Sequence, residues 1–151
     1  MCDMRIAGVN TCSLVNGDGV RYVIFVQGCK HHCNGCQNQW SWDMDGGTDI
    51  PVEMIAEDVR KHRMIDGITL SGGDPFYQQD ECAELLKLLP EYNAWIYTGF
   101  DYEEIAGTEL AKMADVIVDG PFVEELRCEG KMYGSSNQRI IRLDKRRKCN
   151  D

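Results

Sequence analysis

The sequence has no run of about 18 consecutive apolar residues, so no segment is expected to cross a membrane as a helix. Its first residues, MCDMRIAGVNTCS, lack the basic-then-apolar order of a secretion signal, and the chain is expected to stay in the cytoplasm. Positive charge is scarce: 16 Lys and Arg stand against 25 Asp and Glu, for a net charge of -9. A surface of that sign repels a phosphate backbone, which excludes nucleic acid as the expected partner. The one basic run, DKRRKC at 144–149, reads as the solvated tail end of a helix or strand, with a docking patch for an acidic partner as the alternative. No repeat, linker or low-complexity tract divides the chain, and 151 residues suit a single domain, 1–151.

Cysteine, by contrast, is plentiful, with eight at positions 2, 12, 29, 33, 36, 82, 128 and 149. In a reducing cytoplasm these are not expected to pair as disulfides. Cys29, Cys33 and Cys36 crowd into one stretch, VQGCKHHCNGCQNQW at 26–40. Thiolates bind zinc or iron-sulfur clusters. Three on so short a loop reach three corners of a cubane and leave one iron open to a small molecule. Zinc is the competing reading, with His31, His32 or Cys12 as fourth ligand. Both histidines lie between Cys29 and Cys33, where sharing one metal with both flanking thiolates is awkward, so they read as loop surface. Cys2, Cys12, Cys128 and Cys149 are read as incidental thiols, with Cys12 the leading exception.

Strand and helix patterns alternate along the chain. VRYVIFVQG (20–28) is a buried strand running into the cysteine loop. DIPVEMIAEDVRKHR is an amphipathic helix with Asp49 as N-cap, Pro51 in its first turn and Val52, Ile55, Ala56 and Val59 on one face. GITLSGGDP (67–75) reads as strand and tight turn, followed by a helix, QQDECAELLKLLP, that places Cys82, Leu85, Leu86 and Leu89 in the core. AWIYTG (94–99) is a strand, and DYEEIAGTELAKM a helix in spite of a costly Gly107. DVIVDGPF (115–122) and NQRIIRL (137–143) supply the last two strands.

Such alternation indicates parallel βαβ units, about five strands in all. A complete eightfold barrel takes about 250 residues, so the expected fold is α/β, an open sheet or an incomplete TIM-like βα barrel. Ligands then bind beyond the carboxyl ends of the strands, where the cysteine loop, SGGDP, YTGF and DGPF all fall.

With GCKHHCNGCQN after one strand and SGGDP after the next, the sequence resembles the radical S-adenosylmethionine superfamily. VNGDG (15–19), YTGF, VDGPF and GSSNQRII (134–141) are similar, in order and spacing, to the activases of anaerobic ribonucleotide reductase, over nearly the whole chain. The resemblance implies a partial barrel of the radical S-adenosylmethionine type. It further implies a 4Fe-4S cluster on Cys29, Cys33 and Cys36, with S-adenosyl-L-methionine chelated at the unligated iron. Gly72 and Gly73 match the segment whose backbone binds the methionine amino group, and Asp74 adds a charge contact to that ammonium. Gly35 and Gln37, flanking Cys36, touch the same ligand, and Asn137, Gln138 and Arg139 are candidates for polar contacts.

The implied substrate is a glycine in a polypeptide loop of the reductase large subunit, admitted through the gap left by missing barrel strands. A flavodoxin-like or other low-potential donor would supply the electron. No general acid, base or nucleophile is required, and none is assigned. Two departures stand out: Gly35 replaces the aromatic residue that many superfamily members place near adenine, and Asp18 stands where the activases usually show proline. The alternatives are a radical S-adenosylmethionine enzyme with another target, such as a pyruvate formate-lyase activase or a deazaguanine-forming enzyme, and a zinc-stabilised interaction domain.

Overall fold

A computed structural model describes residues 3–14, 16–29, 46–128 and 133–143. Its centre is a mixed seven-stranded sheet of order β3-β1-β2-β4-β5-β6-β7. The strands are β1 (Asp3–Ser13), β2 (Arg21–Val26), β3 (Thr48–Pro51), β4 (Gly67–Gly72), β5 (Asn93–Tyr97), β6 (Val116–Asp119) and β7 (Arg139–Arg142). The neighbours β2, β4, β5 and β6 are parallel. The contacts of β1 with β2 and β3, and of β7 with β6, are antiparallel. The expected set of about five parallel strands is therefore corrected to four, because NQRIIRL pairs antiparallel with β6, and among the described residues the connection holds only a short 3-10 turn, Glu124–Leu126.

Helices cover one face. α1 (Val52–Lys61), α2 (Gln79–Leu88), α3 (Tyr102–Ile105) and α4 (Glu109–Met113) alternate with the strands. Val52, Ile55, Ala56 and Val59 of α1, and Cys82, Leu85 and Leu86 of α2, pack with Tyr22, Ile24, Val26, Ile68, Leu70, Ile96 and Ile117. Each buried Val, Leu or Ile contributes roughly 1.5–3 kcal/mol. Cys82 is fully buried, as expected, with its Sγ 3.7 Å from the Pro75 carbonyl. None of the described helices is long and apolar enough to cross a membrane.

Two local expectations are overturned. Asp49 does not cap α1; it lies in β3, where it pairs with Arg5 at 3.3 Å, and the helix starts one residue after Pro51. DYEEIAGTELAKM is not one helix. A capping box of Asp101 and Glu104 begins α3, and the Thr108 hydroxyl accepts from the Ala111 amide to begin α4, so the chain breaks at the glycine.

The opposite face carries two lateral rows set by register: Val23, Thr69, Trp95 and Val116, then Phe25, Ser71, Tyr97, Val118 and Ile140. Among the described residues only loops lie against it. Gly17 packs on the Trp95 ring, with its hypothetical β-carbon 2.9 Å away, and the Asn16 carbonyl accepts the Thr69 hydroxyl at 2.7 Å.

Candidate functional site

Because β2, β4, β5 and β6 are parallel, their carboxyl ends share one edge of the sheet. β2 leaves that edge through Gln27, Gly28 and Cys29, and Cys29 is buried there. The turn after β4 lies directly on this exit. The Gly73 amide donates to the Val26 carbonyl at 2.8 Å, and the Asp74 amide to the Gly28 carbonyl at 2.9 Å. A β-carbon on Gly72, whose φ is 94°, would fall 2.7 Å from the Val26 backbone, and one on Gly73 would fall 2.3 Å from the Gly28 carbonyl. Gly72 is therefore required by the contact of β4 with β2, and Gly73 by the contact between the two loops that follow them. Gln78 adds a second tie, with its amide donating to the Arg5 and Gln27 carbonyls at 2.8 and 3.0 Å while its oxygen accepts from the Arg5 amide.

The four strand-end motifs are joined to one another. The Asp74 carboxylate, 1 % exposed, accepts from the Thr98 hydroxyl, the Gly99 amide at 2.8 Å and the Phe76 amide at 3.0 Å. Thr98 in turn donates its amide to the Val118 carbonyl at 3.0 Å, and the Gly120 amide reaches the Phe100 carbonyl at 2.9 Å. Gln138 donates to the Gly120 carbonyl and accepts from the Gly134 and Ser135 amides. Asn137 donates to the Pro121 carbonyl at 2.8 Å and accepts from the Ser135 hydroxyl at 2.6 Å. Arg139 pairs with the buried Asp119 and with Glu103, which holds the Glu103 carboxyl below its usual range. SGGDP, YTGF, DGPF and GSSNQR thus form one hydrogen-bonded rim.

Among the expected site residues, the structure brings Cys29, Gly72, Gly73 and Asp74 together at this rim, with Asn137 at its far end on the β6–β7 side. The polar side chains of Asp74, Asn137, Gln138 and Arg139 are bonded within the protein. Cys33, Gly35, Cys36 and Gln37 lie outside the described residues, as do His31 and His32. Cys12 is corrected as a possible fourth metal ligand. It adjoins Ser13, which pairs with Arg21 at the opposite end of β2, and Arg21 to Val26 alone is about 16 Å of strand. Thr98, Gln78 and Arg21 were not expected. The first was visible only as part of YTGF, and the last as a lone charge opening an apolar strand.

Arg21 closes the amino end of the loop-covered face. Its guanidinium donates to the Thr69 hydroxyl and to the carbonyls of Asp18, Ile68 and Asn93 at 2.7–3.0 Å. Burial pulls its pKa down to about 10, against the attraction of Asp18 and other acids. Arg21 and Arg142 lie 5.8 and 5.4 Å from the Trp95 ring centroid, and Arg142 pairs with Asp18 at 3.0 Å, so Asp18 has a structural partner here. Burial raises the pKa of the Tyr97 hydroxyl on the same face above the usual tyrosine value.

A cluster held by thiolates fits this rim. Cys29 places a soft donor, shielded from water, at the edge where the parallel strands end, while Cys12 and Cys82 are committed elsewhere in the fold. Comparison with known proteins agrees. Residues 15–141 match the family described as 4Fe-4S single cluster domain. The chain is 39% identical over 146 residues to the anaerobic ribonucleoside-triphosphate reductase-activating protein of Enterobacteria phage T4, covering 91% of this chain and 93% of the phage protein. It is 37% identical over 156 residues to the protein of that name from Salmonella typhi, covering 93% and 99%. For the protein of that name from Escherichia coli K12, the figures are 35% over 144 residues, covering 86% and 93%.

Proposed function

Because the chain belongs to the family of anaerobic ribonucleoside-triphosphate reductase-activating proteins, we propose that it is a radical S-adenosylmethionine activase that installs a glycyl radical on that reductase. The observation that carries this reading is the burial of Cys29 at the exit of β2, against the Gly72–Gly73 turn, in a chain related to those activases over nearly its full length. The fold is then a partial barrel of the radical S-adenosylmethionine type, in one cytoplasmic domain.

Cys29, Cys33 and Cys36 hold the 4Fe-4S cluster in this reading, one thiolate short of a full set. When bound, the cluster supplies the electron that cleaves S-adenosyl-L-methionine into methionine and the 5′-deoxyadenosyl radical, which takes a hydrogen atom from a glycine α-carbon. The chain's own residues orient and shield. The Gly72 and Gly73 backbone, with Gly35 and Gln37 of the cysteine loop, lines the place of the methionine end. Asp74 acts by fixing that lining, since its side chain is bonded to Thr98 and Gly99, while Asn137, bonded to Pro121 and Ser135, orders the far end of the rim. The helix-free face, with the half-buried rings of Phe25 and Tyr97 near its carboxyl edge, gives the nucleoside and the incoming peptide an aromatic wall. Its amino end is sealed by Arg21 and Trp95. The reductase large subunit is the protein substrate, and a flavodoxin-like or other low-potential protein is the electron donor.

The test is anaerobic incubation of the iron-loaded chain with dithionite and S-adenosyl-L-methionine, followed by chromatography. Formation of 5′-deoxyadenosine that depends on Cys29, Cys33 and Cys36 supports the reading. A brown, cluster-bearing chain that leaves S-adenosyl-L-methionine intact contradicts it.

A further inference from the structure

Thr98 and Asp74 form a buried pair, and the reading above gives Thr98 no role of its own. Thr98 is 6 % exposed and Asp74 1 %, and the Thr98 hydroxyl lies 2.9 and 2.8 Å from the two carboxylate oxygens. A carboxylate in so dry a place needs hydrogen bonds where water would otherwise stand, and Thr98, Gly99 and Phe76 are among the donors that set its direction. The amide of the same residue holds the Gly28 carbonyl at 2.9 Å, and that carbonyl belongs to the peptide leading into Cys29. One residue therefore connects the exit of β5 to the first sulfur of the cysteine loop. Thr98 itself is anchored independently. Its amide donates to the Val118 carbonyl at 3.0 Å, and its hydroxyl accepts from the Phe100 amide at 3.1 Å.

We infer that Thr98 is a positioning residue for the cluster: acting through Asp74, it fixes the Gly28–Cys29 peptide and so the place of the first iron ligand. The inference rests on the activase reading. Loss of the hydroxyl leaves the carboxylate one donor short. Turning toward water restores a donor, and the turn draws the Asp74 amide away from Gly28. Because Thr98 is held to β6, the displacement falls on the Asp74 side of the pair.

The test compares Thr98→Val, which keeps the branched shape and removes the hydroxyl, with Thr98→Ser, which keeps the hydroxyl. Far-ultraviolet circular dichroism establishes that each variant folds, and Thr98→Ala takes the place of Thr98→Val if the latter does not. In the full chain without iron, hydrogen–deuterium exchange at the Gly73 and Asp74 amides is expected to quicken about tenfold in Thr98→Val and to stay near wild type in Thr98→Ser. In the loaded chain, the electron paramagnetic resonance spectrum and midpoint potential of the reduced cluster shift in Thr98→Val. The KM for S-adenosyl-L-methionine rises about tenfold with a smaller change in kcat, and Thr98→Ser restores all three. A wild-type chain that takes up no cluster overturns the activase reading, while the exchange data still judge the link to Gly28. A loaded wild type matched by Thr98→Val in exchange, spectrum, potential and KM overturns the positioning role.

Discussion

The carbonyl of Gly28 lies 2.3 Å from the point that a β-carbon on Gly73 would occupy. No side chain fits at residue 73 while the two loops touch. Gly73→Ala is expected to separate them, at a cost of about 1–3 kcal/mol, and to reduce the iron retained per chain after anaerobic reconstitution to less than half that of wild type. Gly107→Ala is the control: nothing lies within 4 Å of its added carbon. Iron content stays at the wild-type level there, and stability holds or rises by up to about 1 kcal/mol in denaturant titrations.

Cysteine substitutions separate the rim from the rest of the fold. Cys29→Ser, Cys33→Ser and Cys36→Ser are each expected to abolish the broad iron-sulfur absorbance near about 400 nm. Cys12→Ser, at the far end of β2, leaves both absorbance and iron content unchanged. Loss of bound metal in Cys12→Ser would revive a four-ligand site.

The buried guanidinium of Arg21 is a structural seal. Arg21→Met keeps its length but leaves the carbonyls of Asp18, Ile68 and Asn93 without their donor. The expected loss is about 3 kcal/mol, seen as a fall of roughly 6–12 °C in the thermal midpoint.

Much of this arrangement was legible in the residues. Apolar runs ending in glycine marked the four parallel strands, and the SGGDP, YTGF and DGPF turns fell on one edge because parallel strands must finish together. What escaped notice had weak local signals. β1 is interrupted by register shifts after Ile6 and Asn10, so MRIAGVNT shows no sustained alternation. β3 is a four-residue polar edge that exists only by pairing with β1. Asp74 and Asn137 are named as ligand contacts by the family resemblance, and the structure adds internal partners for both. Their bonds to Thr98 and Pro121 join residues 24 and 16 positions apart, a spacing no local pattern encodes.

The two raised tyrosines give a pH signature. Burial lifts the pKa of both Tyr22 and Tyr97, and the Tyr22 hydroxyl also donates to Asp58 at 2.6 Å. Each folded value stands above the unfolded value of about 10. Their stabilising effect is therefore complete below about pH 10 and is lost as pH rises toward the folded value. Between about pH 9 and pH 11, the thermal midpoint of the wild type should fall more steeply than that of Tyr22→Phe. Parallel curves would contradict the assignment.

The most direct measurement mixes the iron-loaded, reduced chain with S-adenosyl-L-methionine and the anaerobic reductase large subunit, then records the electron paramagnetic resonance spectrum. A glycyl doublet that requires S-adenosyl-L-methionine and disappears with Cys29→Ser is the predicted result. Production of 5′-deoxyadenosine with no doublet on the reductase would contradict the account.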